Sequence, residues 1–284
     1  MDWTPRRRRF RAVLEGAECV HPGSVFDPLS ARIAEDLGFE IGMFSGSVAS
    51  LTILGAPDLT VITLTEFAAQ AHRIARASGI PLLVDADHGY GNALSVIRTV
   101  EELESAGVAA LTIEDTLLPR PFGEPRTRLV STGEAVGKMR AAVRARQDPA
   151  LVLVGRTQAV GLEGIGAALE RMRAYQRAGI DALFFGGVTT REEVDAIAAV
   201  AEVPVMLGNV NAALADRAYL ASRNVRVALQ GHQPFMAAVQ AVHATLRALR
   251  DGTPPDRLTG IASNELIERV TRAARYAADT KEFL

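Results

Sequence analysis

The stretch that decides the fold reads Leu82-Leu83-Val84-Asp85-Ala86-Asp87-His88-Gly89-Tyr90-Gly91. Its apolar half predicts a buried strand that ends before the glycines. Asp85 and Asp87 stand two positions apart, so on a strand their carboxylates point to the same face. Two like charges in one small space repel each other unless a cation or a proton lies between them. The pair therefore indicates either a site for a hard cation such as Mg²⁺ or two solvated aspartates at the end of a buried strand.

A recurring pattern extends outward from this stretch: a helix-like segment, a glycine and a short apolar run. Gly38, Gly79, Gly107 and Gly179 each stand between two such segments. A glycine just past the end of a helix adopts the left-handed conformation without strain, so each predicts a helix stop followed by a strand. The apolar runs are continuous rather than alternating, which is typical of parallel strands that are buried on both faces.

Eight strands and eight helical segments follow from this pattern. The strands are predicted near residues 19–24, 40–45, 81–86, 109–114, 151–156, 181–186, 203–207 and 225–229. The helices are predicted near residues 28–37, 65–78, 93–106, 131–147, 162–178, 190–200, 212–222 and 234–250. Eight βα units predict an α/β fold of the (β/α)₈ TIM-barrel type. A doubly wound open sheet is the alternative, but no G-x-G-x-x-G follows the first strand, which argues against a dinucleotide-binding fold.

The chain is predicted to consist of a catalytic barrel and a helical extension. Residues 1–250 hold the βα units, and no shift in composition divides them. Residues 251–284 begin with the linker Asp251-Gly252-Thr253-Pro254-Pro255-Asp256 and continue into an amphipathic helix from about Asn264 to Ala278. A helix outside a closed barrel needs an apolar surface to cover, either on its own barrel or on a neighbouring subunit.

Composition and charge exclude several classes of protein. The 284 residues are 48% hydrophobic and 23% charged with a net charge of −2, so no overall field attracts nucleic acid or an anionic membrane. The run Arg6-Arg7-Arg8-Arg9 is the one dense basic cluster, and we interpret it as the start of a solvated helix rather than as a nucleic-acid arm. Neither a membrane span nor a secretory signal is recognisable, so a cytoplasmic location is expected.

Cys19 is the only cysteine of the chain. A single thiol forms no internal disulfide and no cysteine zinc site, which fits a reducing compartment. We interpret Cys19 as a small buried hydrophobe in the first strand rather than as a nucleophile.

Polar side chains follow several predicted strands at their carboxyl ends, where barrel enzymes place their active sites. They are Ser47 after the second strand, Asp85 and Asp87 after the third, Glu114 after the fourth, Arg156 after the fifth and His232 after the eighth. Arginine presents a planar fork that matches a carboxylate. The set together fits a site for a metal ion and a small anion, although each residue alone also has a structural explanation as an ion-pair partner or a packed histidine.

Two long loops flank this set. The segment from Thr116 to Arg126 is rich in proline and glycine and is predicted to be either a lid that excludes water or a surface connector. The segment from Val48 to Leu64 carries Asp58, which either reaches the site or is a turn residue after Pro57.

Four segments together resemble the phosphoenolpyruvate mutase/isocitrate lyase superfamily: Gly46-Ser47-Val48-Ala49, Asp85-Ala86-Asp87-His88-Gly89-Tyr90-Gly91, Ile113-Glu114-Asp115 and Gly155-Arg156-Thr157. The resemblance covers the chain from about Val25 to Leu249. It implies a barrel with Mg²⁺ at its mouth, Mn²⁺ being the alternative ion, and an α-keto diacid as substrate. It also implies that the terminal helix is swapped between subunits, in a homotetramer built as a dimer of dimers.

The resemblance also assigns roles position by position. Asp85 would ligate Mg²⁺ directly, and its waters would be held by Asp87, Glu114 and Asp58. Ser47 and Arg156 would bind the substrate carboxylate and the developing enolate oxygen. His232 would contact the substrate and orient it.

The lid distinguishes the branches of the superfamily. Lyase members carry a K-x-C-G-H lid whose cysteine is an acid/base, whereas Leu118 to Glu124 contains no cysteine. Phosphonate mutases carry a lysine where Thr116 stands here. The segments Ser24 to Ala34 and Glu114 to Pro119, together with Gly231-His232, look most similar to the oxaloacetate decarboxylase branch.

Two positions depart from that branch. Gln158 stands where an asparagine is expected, and Gly208-Asn209-Val210-Asn211 has no tyrosine where the branch has one. The leading hypothesis is therefore Mg²⁺-dependent decarboxylation of oxaloacetate to pyruvate and CO₂ through a metal-stabilised enolate. The alternatives are a lyase or hydrolase acting on another α-keto or α-hydroxy diacid, for instance a methylisocitrate-lyase-like enzyme or an oxaloacetate hydrolase, and a non-catalytic keto-acid binder.

Overall fold

The computed structural model describes every residue from Met1 to Leu284, and its central feature is a sheet of eight parallel strands. The strands are β1 (Gly23–Ser24), β2 (Gly42–Ser45), β3 (Leu82–Asp85), β4 (Ala110–Glu114), β5 (Val152–Thr157), β6 (Ala182–Phe185), β7 (Val205–Leu207) and β8 (Val225–Ala228). They are hydrogen-bonded to one another in chain order. Each parallel neighbour therefore requires a crossover, which the helices supply.

The sheet closes on itself through the segment that precedes β1. Val20 forms a parallel bridge with Val227 of β8. Its amide donates to the Arg226 carbonyl at 2.9 Å, and the Ala228 amide donates back to its carbonyl at 3.0 Å. The predicted (β/α)₈ barrel is thus confirmed, and the open doubly wound sheet is excluded.

Helices follow the strands, and further helices lie before the first strand and at the carboxyl end of the chain. They are α1 (Thr4–Glu15), α2 (Pro28–Asp36), α3 (Gly46–Ala49), α4 (Leu64–Ala77), α5 (Ala93–Ser105), α6 (Thr132–Ala145), α7 (Ala159–Glu163), α8 (Ile165–Ala178), α9 (Arg191–Ala198), α10 (Arg217–Ser222), α11 (Gln233–Arg250), α12 (Asn264–Thr271) and α13 (Ala273–Phe283). Most begin at a side-chain cap, for example Asp27, Thr63, Asn92, Ser131 and Thr190. These caps satisfy the amides that a first helical turn leaves unpaired.

Three predicted helices are divided in the structure. The segment predicted near residues 212–222 forms a 3₁₀ turn at Ala212–Leu214 and then α10. The segment predicted near residues 162–178 is split into α7 and α8 at Gly164, which has a φ of +87°. The final segment is split into α12 and α13 at Arg272, whose left-handed φ of +61° ends the first helix. A left-handed residue interrupts the hydrogen-bond ladder of a helix, and the apolar periodicity alone did not reveal either break.

Alternate strand residues face two different apolar layers. Inside the barrel lie residues such as Met43, Leu83, Val154, Met206 and Val227. Their strand neighbours face the helices, for example Phe44, Val84, Leu153, Leu183 and Leu207. Because side chains alternate along a strand, the inward series continues at the carboxyl ends with polar residues. These polar positions form the floor of the candidate site.

The arginine-rich helix α1 packs at the opposite end of the barrel. Its Phe10 and Leu14 join the inner apolar layer. Arg7 is only 4% exposed and donates to the carbonyl oxygens of Val108 at 3.1 Å and Glu104 at 2.6 Å. The arginine run starts a helix as expected, but Arg7 is not solvated, because it binds protein carbonyls that lie next to β4.

Cys19 is fully buried. Burial raises the pKa of its thiol to about 11, so the thiol stays protonated at neutral pH and lacks the thiolate that a nucleophile needs. This agrees with the interpretation of Cys19 as a packing residue.

Contacts within the chain divide it into two units, Met1–Gly231 and His232–Leu284. This boundary precedes α11, whereas the sequence placed the division after residue 250. In the second unit, α11 carries an apolar stripe of residues that are each between 40% and 62% exposed: Met236, Val239, Val242, Leu246 and Leu249. None of the helices combines the length and the apolar character needed to cross a membrane.

Candidate active site

The strand register places the predicted site residues side by side. Asp85 is paired with Ser45 on one side and with Thr112 on the other. Two residues further along β4, Glu114 is paired with Arg156 of β5. Inward-facing side chains of adjacent strands are in contact range at such positions. The barrel thus brings Asp85, Glu114 and Arg156 together at its carboxyl end.

Arg156 is the central side chain of this group. Its guanidinium forms ion pairs with Asp85 through Nη1 and with Glu114 through Nε, the latter at 3.2 Å. The group also lies over the ring of Phe184, 5.3 Å from the ring centroid, which is within the range of a cation–π contact. Burial lowers the pKa of Arg156, but the charges of Asp85 and Glu114 outweigh this and raise it above its ordinary value. The side chain is therefore a permanent cation in a fixed orientation.

The position of Asp87 in the site is not explained by the alternation of side chains along a strand. β3 ends at Asp85, and Asp87 lies in the following turn with a left-handed φ of +48°. Its carboxylate lies directly against Gly46, where an added Cβ would come within 2.6 Å of Oδ2. Asp87 thus faces the same space as Asp85 because of the turn and because residue 46 has no side chain, and not because both lie on one strand.

The carboxylates carry more negative charge than the site neutralises. Burial raises the pKa of Asp87 well above its ordinary value, and the neighbouring charges of Asp85, Glu114 and Asp58 add to this rise. Burial also raises the pKa of Glu114, against the opposing charge of Arg156. The crowded acids therefore resist being ionised together beside a single arginine, and a bound cation would offset their repulsion.

The arrangement of these acids restricts how a cation could be held. No three or more His, Cys, Asp or Glu side chains are arranged to hold a metal ion directly. Buried oxygen donors are nevertheless present, and Glu114 Oε2 accepts no hydrogen bond, although it lies 3.2 Å from Arg156 Nε in their ion pair. Mg²⁺ commonly keeps several waters and takes only one or two protein carboxylates. The donor set therefore fits Mg²⁺ held directly by one acid and through water by the others.

The turn that carries Asp87 is fixed by hydrogen bonds from three directions. The Asp87 amide donates to Asp85 Oδ1 at 3.3 Å, and the Glu114 amide donates to the Asp87 carbonyl at 2.8 Å. Lys138, which is only 2% exposed, donates from Nζ to the carbonyl of His88 at 2.8 Å. This fixation holds Asp87 in place beside the strand ends.

A cavity of about 400 Å³ opens beside Arg156. Its other lining residues come from the end of β4, from the segments that follow β4 and β5, and from α7: Glu114, Thr116, Thr127, Gln158, Gly161 and Leu162. Gln158 lies across Gly186, where an added Cβ would come within 2.1 Å of Oε1. One side of the cavity is therefore formed by Gln158, which stands where the oxaloacetate decarboxylase branch is expected to have an asparagine.

The remaining predicted residues are placed as follows. Ser47 lies in α3, where its Oγ is 2.8 Å from Ser45 Oγ, and Ser45 is the strand neighbour of Asp85. Asp58 is exposed in the loop before α4, and its charge contributes to the raised pKa of Asp87. His232 begins the second unit at the amino end of α11, and its catalytic role stays a prediction.

Three residues of the site were not identified from the sequence. Thr112 donates from Oγ1 to Asp85 Oδ1 at 2.9 Å, Phe184 lies beneath Arg156, and Gly46 leaves room for Asp87. Thr112 precedes Glu114 by two positions, so the strand period could have revealed it. Phe184 and Gly46 depend on the register between strands, which the sequence of one strand does not contain.

Comparison with known proteins shows which family the chain is similar to. The family model described as phosphoenolpyruvate phosphomutase matches residues 10–250. A protein of Rhodopseudomonas palustris (strain BisA53) named oxaloacetate decarboxylase is 57% identical over 272 residues, which cover 96% of this chain and 94% of the relative.

Solved structures of lower sequence identity are similar to this chain over nearly its whole length. Oxaloacetate acetylhydrolase superposes with a TM-score of 0.86 at 30% identity, covering 98% of this chain and 99% of that one. Phosphonopyruvate hydrolase in complex with oxalate and Mg²⁺ superposes with a TM-score of 0.85 at 28% identity, covering 98% and 99%. The fold is therefore shared with several enzymes.

Proposed function

Because the chain belongs to the phosphoenolpyruvate phosphomutase family, within the phosphoenolpyruvate mutase/isocitrate lyase superfamily, we propose that it decarboxylates oxaloacetate to pyruvate and CO₂ with Mg²⁺ as cofactor. The observation that carries the proposal is the 57% identity, over almost the whole chain, to a relative named oxaloacetate decarboxylase. The acidic mouth of the barrel suits the same reaction because it would hold a divalent cation, which together with the fixed arginine would offset the charge of the dianionic substrate. As CO₂ leaves, one negative charge of the substrate passes from the C4 carboxylate to the C2 oxygen.

The residues present fit a magnesium ion. Asp85 would hold it directly, and Asp87, Glu114 and Asp58 would hold its waters, with Mn²⁺ as the alternative ion. When bound, the ion would act as a Lewis acid that neutralises the keto-acid end of the substrate and the charge that develops there. The phosphonopyruvate hydrolase structure, which contains oxalate and Mg²⁺ in the same fold, supports this assignment.

The side chains of the site account for the remaining steps. Arg156 and Ser47 would bind the C1 carboxylate and the C2 oxygen of oxaloacetate. When the C3–C4 bond breaks, C4 leaves as CO₂ and the electron pair passes to the C2 oxygen to form the enolate of pyruvate. Arg156 would stabilise this oxygen anion, since its orientation is already fixed by its partners. His232 would contact the substrate near C4 and orient it, and a proton then adds to C3.

The second candidate is the hydrolysis of oxaloacetate to oxalate and acetate. The similarity to oxaloacetate acetylhydrolase favours it, at 30% identity over nearly the whole chain. Cleavage of the isocitrate-lyase type is disfavoured, because that branch uses a lid cysteine. The only cysteine here is the buried Cys19 at the edge of the barrel.

The products formed from oxaloacetate distinguish these candidates. Purified protein incubated with oxaloacetate and Mg²⁺ is expected to yield pyruvate and CO₂ faster than the uncatalysed reaction, and EDTA is expected to remove the excess rate. Products are identified by NMR, with a lactate dehydrogenase assay for pyruvate. Oxalate and acetate would instead establish the hydrolase. Binding of oxalate without turnover of oxaloacetate would establish a keto-acid binder.

We further propose that α11 is covered by a second copy of the chain in a homotetramer. Its apolar stripe is exposed along the helix, and exposed contiguous apolar surface marks interaction sites. Replacing Leu246, which is 62% exposed, by glutamate is expected to lower the molar mass measured by light scattering.

The matched control for that substitution is Leu94→Glu. Leu94 is 75% exposed and lies in the first unit, on α5. We expect Leu94→Glu to keep the mass of the unmodified protein. An unchanged mass for Leu246→Glu would show that the stripe does not form the interface.

A further inference from the structure

A second cluster of buried charge lies directly behind the site residues. Asp115 follows Glu114, and its side chain is completely buried. Asp115 comes directly after the last residue of β4, and its bonds to Arg171 and Tyr175 of α8 place its side chain toward the helices, away from the barrel axis. None of the steps proposed above uses this carboxylate, although burying an ionised group is costly unless it is paired.

One oxygen of Asp115 accepts hydrogen bonds from three side chains. Oδ2 receives them from Tyr175 Oη at 2.6 Å, from Thr157 Oγ1 at 2.8 Å and from Arg171 Nη1 at 3.3 Å. Thr157 and Tyr175 are fully buried, and the Arg171 side chain is 7% exposed. Burial raises the pKa of Asp115, whereas the bonds from Tyr175 and Thr157 and the charge of Arg171 lower it. The cluster thus pairs one oxygen of Asp115 in the core, while Oδ1 accepts no hydrogen bond and Arg171 also bonds to Glu163.

The first connection from this cluster leads to Arg156. Thr157, which donates to Asp115, is the next residue of β5, and its own Oγ1 accepts the amide of Ala159 at 3.1 Å. The end of β5 is thereby tied on its outer face, while Arg156 projects from its inner face. Movement of Thr157 would move the backbone from which Arg156 extends.

The second connection leads to the loop 116–129, which contains the segment predicted to be either a lid or a surface connector and is called the lid below. The Val130 amide donates to the Asp115 carbonyl at 2.8 Å, and the Val130 carbonyl accepts a bond from Arg171 Nη1 at 3.0 Å. Thr116 and Leu129 form an antiparallel bridge just above. Both ends of the loop 116–129 are therefore fastened at Asp115 and Arg171, while the tip projects outward and Phe122 is fully exposed.

From these contacts we propose that Asp115 and Arg171 are positioning residues, which hold the base of the lid and the Arg156 end of β5 in one fixed geometry. They touch no substrate and act only through Thr157 and Val130. Their kinetic effect rests on the proposed function, but their effect on the lid does not.

The test compares Arg171→Met with Arg7→Met. Both arginines are buried, with side chains 7% and 5% exposed, and both pair with an aspartate and donate to main-chain carbonyls. Arg7 lies at the other end of the barrel, so it controls for the general loss of a buried ion pair. Asp115→Asn and Asp148→Asn form a second matched pair.

Trypsin reports on the lid without any substrate. Arg126 and Arg128 are exposed within it, and mass spectrometry identifies fragments that end at either residue. We expect Arg171→Met to be cut there roughly tenfold faster than the unmodified protein under native conditions, because local opening exposes the loop. Arg7→Met is expected to be cut in the lid at the unmodified rate.

Kinetics report on Arg156. Arg171→Met is expected to lower kcat for oxaloacetate by roughly ten- to a hundredfold, since small displacements of a catalytic group have effects of this size. KM is expected to change less than kcat because the binding groups remain. Arg171→Lys, which keeps the charge, is expected to recover part of kcat. Arg7→Met is expected to keep kcat per folded molecule.

Each outcome decides the proposal. Equal lid cleavage and equal kcat in Arg171→Met and Arg7→Met would show that Arg171 is only structural, and would overturn it. If Arg171→Met and Asp115→Asn do not fold, Tyr175→Phe and Thr157→Val remove one bond each, and unchanged cleavage and kcat in both would overturn it equally. If the unmodified protein does not decarboxylate oxaloacetate, the proposed function fails, while the trypsin comparison still decides this inference.

Discussion

Asp85→Asn is expected to lower kcat for oxaloacetate by about three orders of magnitude, the equivalent of roughly 4 kcal/mol of lost charge stabilisation. Two contributions add up in this substitution. Replacement of the Asp85 carboxylate by an amide removes the one carboxylate proposed to bind Mg²⁺ directly. It also removes the ion pair that holds Arg156 through Nη1, so the guanidinium loses part of its fixed orientation.

The measurement is the initial rate at saturating Mg²⁺, combined with titration of Mn²⁺ binding by electron paramagnetic resonance. Asp181→Asn is the matched control, because Asp181 also pairs with arginines and its side chain is 16% exposed against 14% for Asp85. It lies at the start of β6, at the opposite end of the barrel. A variant at Asp85 that kept metal binding and activity within about tenfold of the unmodified protein would refute the metal assignment.

Arg156→Ala is expected to lower kcat/KM by about two orders of magnitude or more, the effect of losing one preorganised charge contact to a developing oxyanion. In the structure this guanidinium is held by Asp85, Glu114 and the ring of Phe184. Its removal leaves two buried carboxylates without their cation, so a lower melting temperature is expected as well.

The control for the loss of stability is Arg146→Ala. Arg146 pairs with Asp181, and its side chain is 18% exposed against 17% for Arg156. Both variants should be less stable, but only Arg156→Ala should lose activity per folded molecule. Full activity of Arg156→Ala would mean that the site lies elsewhere on the barrel.

Much of this site follows from the order of residues along the chain. The carboxyl ends of parallel strands meet at one end of a barrel, so Asp85, Glu114 and Arg156 could be grouped before any coordinates were known. What the sequence of a single strand lacks is the register with its neighbours. The pairing of Arg156 with both Glu114 and Phe184 is a property of that register.

Asp87 shows a second limit of prediction from sequence. Its grouping with Asp85 was inferred from the alternation of side chains along a strand. In the structure β3 ends at Asp85, and a turn in which Asp87 has a left-handed φ brings the Asp87 carboxylate to the site instead. The turn is fixed by distant partners such as Lys138, which donates to the His88 carbonyl. Asp115 and Arg171 were overlooked for a similar reason. The partners of buried charges are far apart in sequence, and no local pattern reveals them.

The closure of the barrel determines when this protein can become complete during its synthesis. Val20 finds its strand partner only at Val227, and Arg11 of α1 pairs with Asp181. A ribosome therefore releases Val20 and Arg11 long before these two partners have been made, although Arg7 of the same helix binds a carbonyl as early in the chain as that of Glu104. The contacts that close the barrel therefore stay unmade while most of the chain is translated. The last step of assembly then joins the oldest part of the polypeptide to one of the newest, which exposes the nascent chain to proteases and chaperones until that moment.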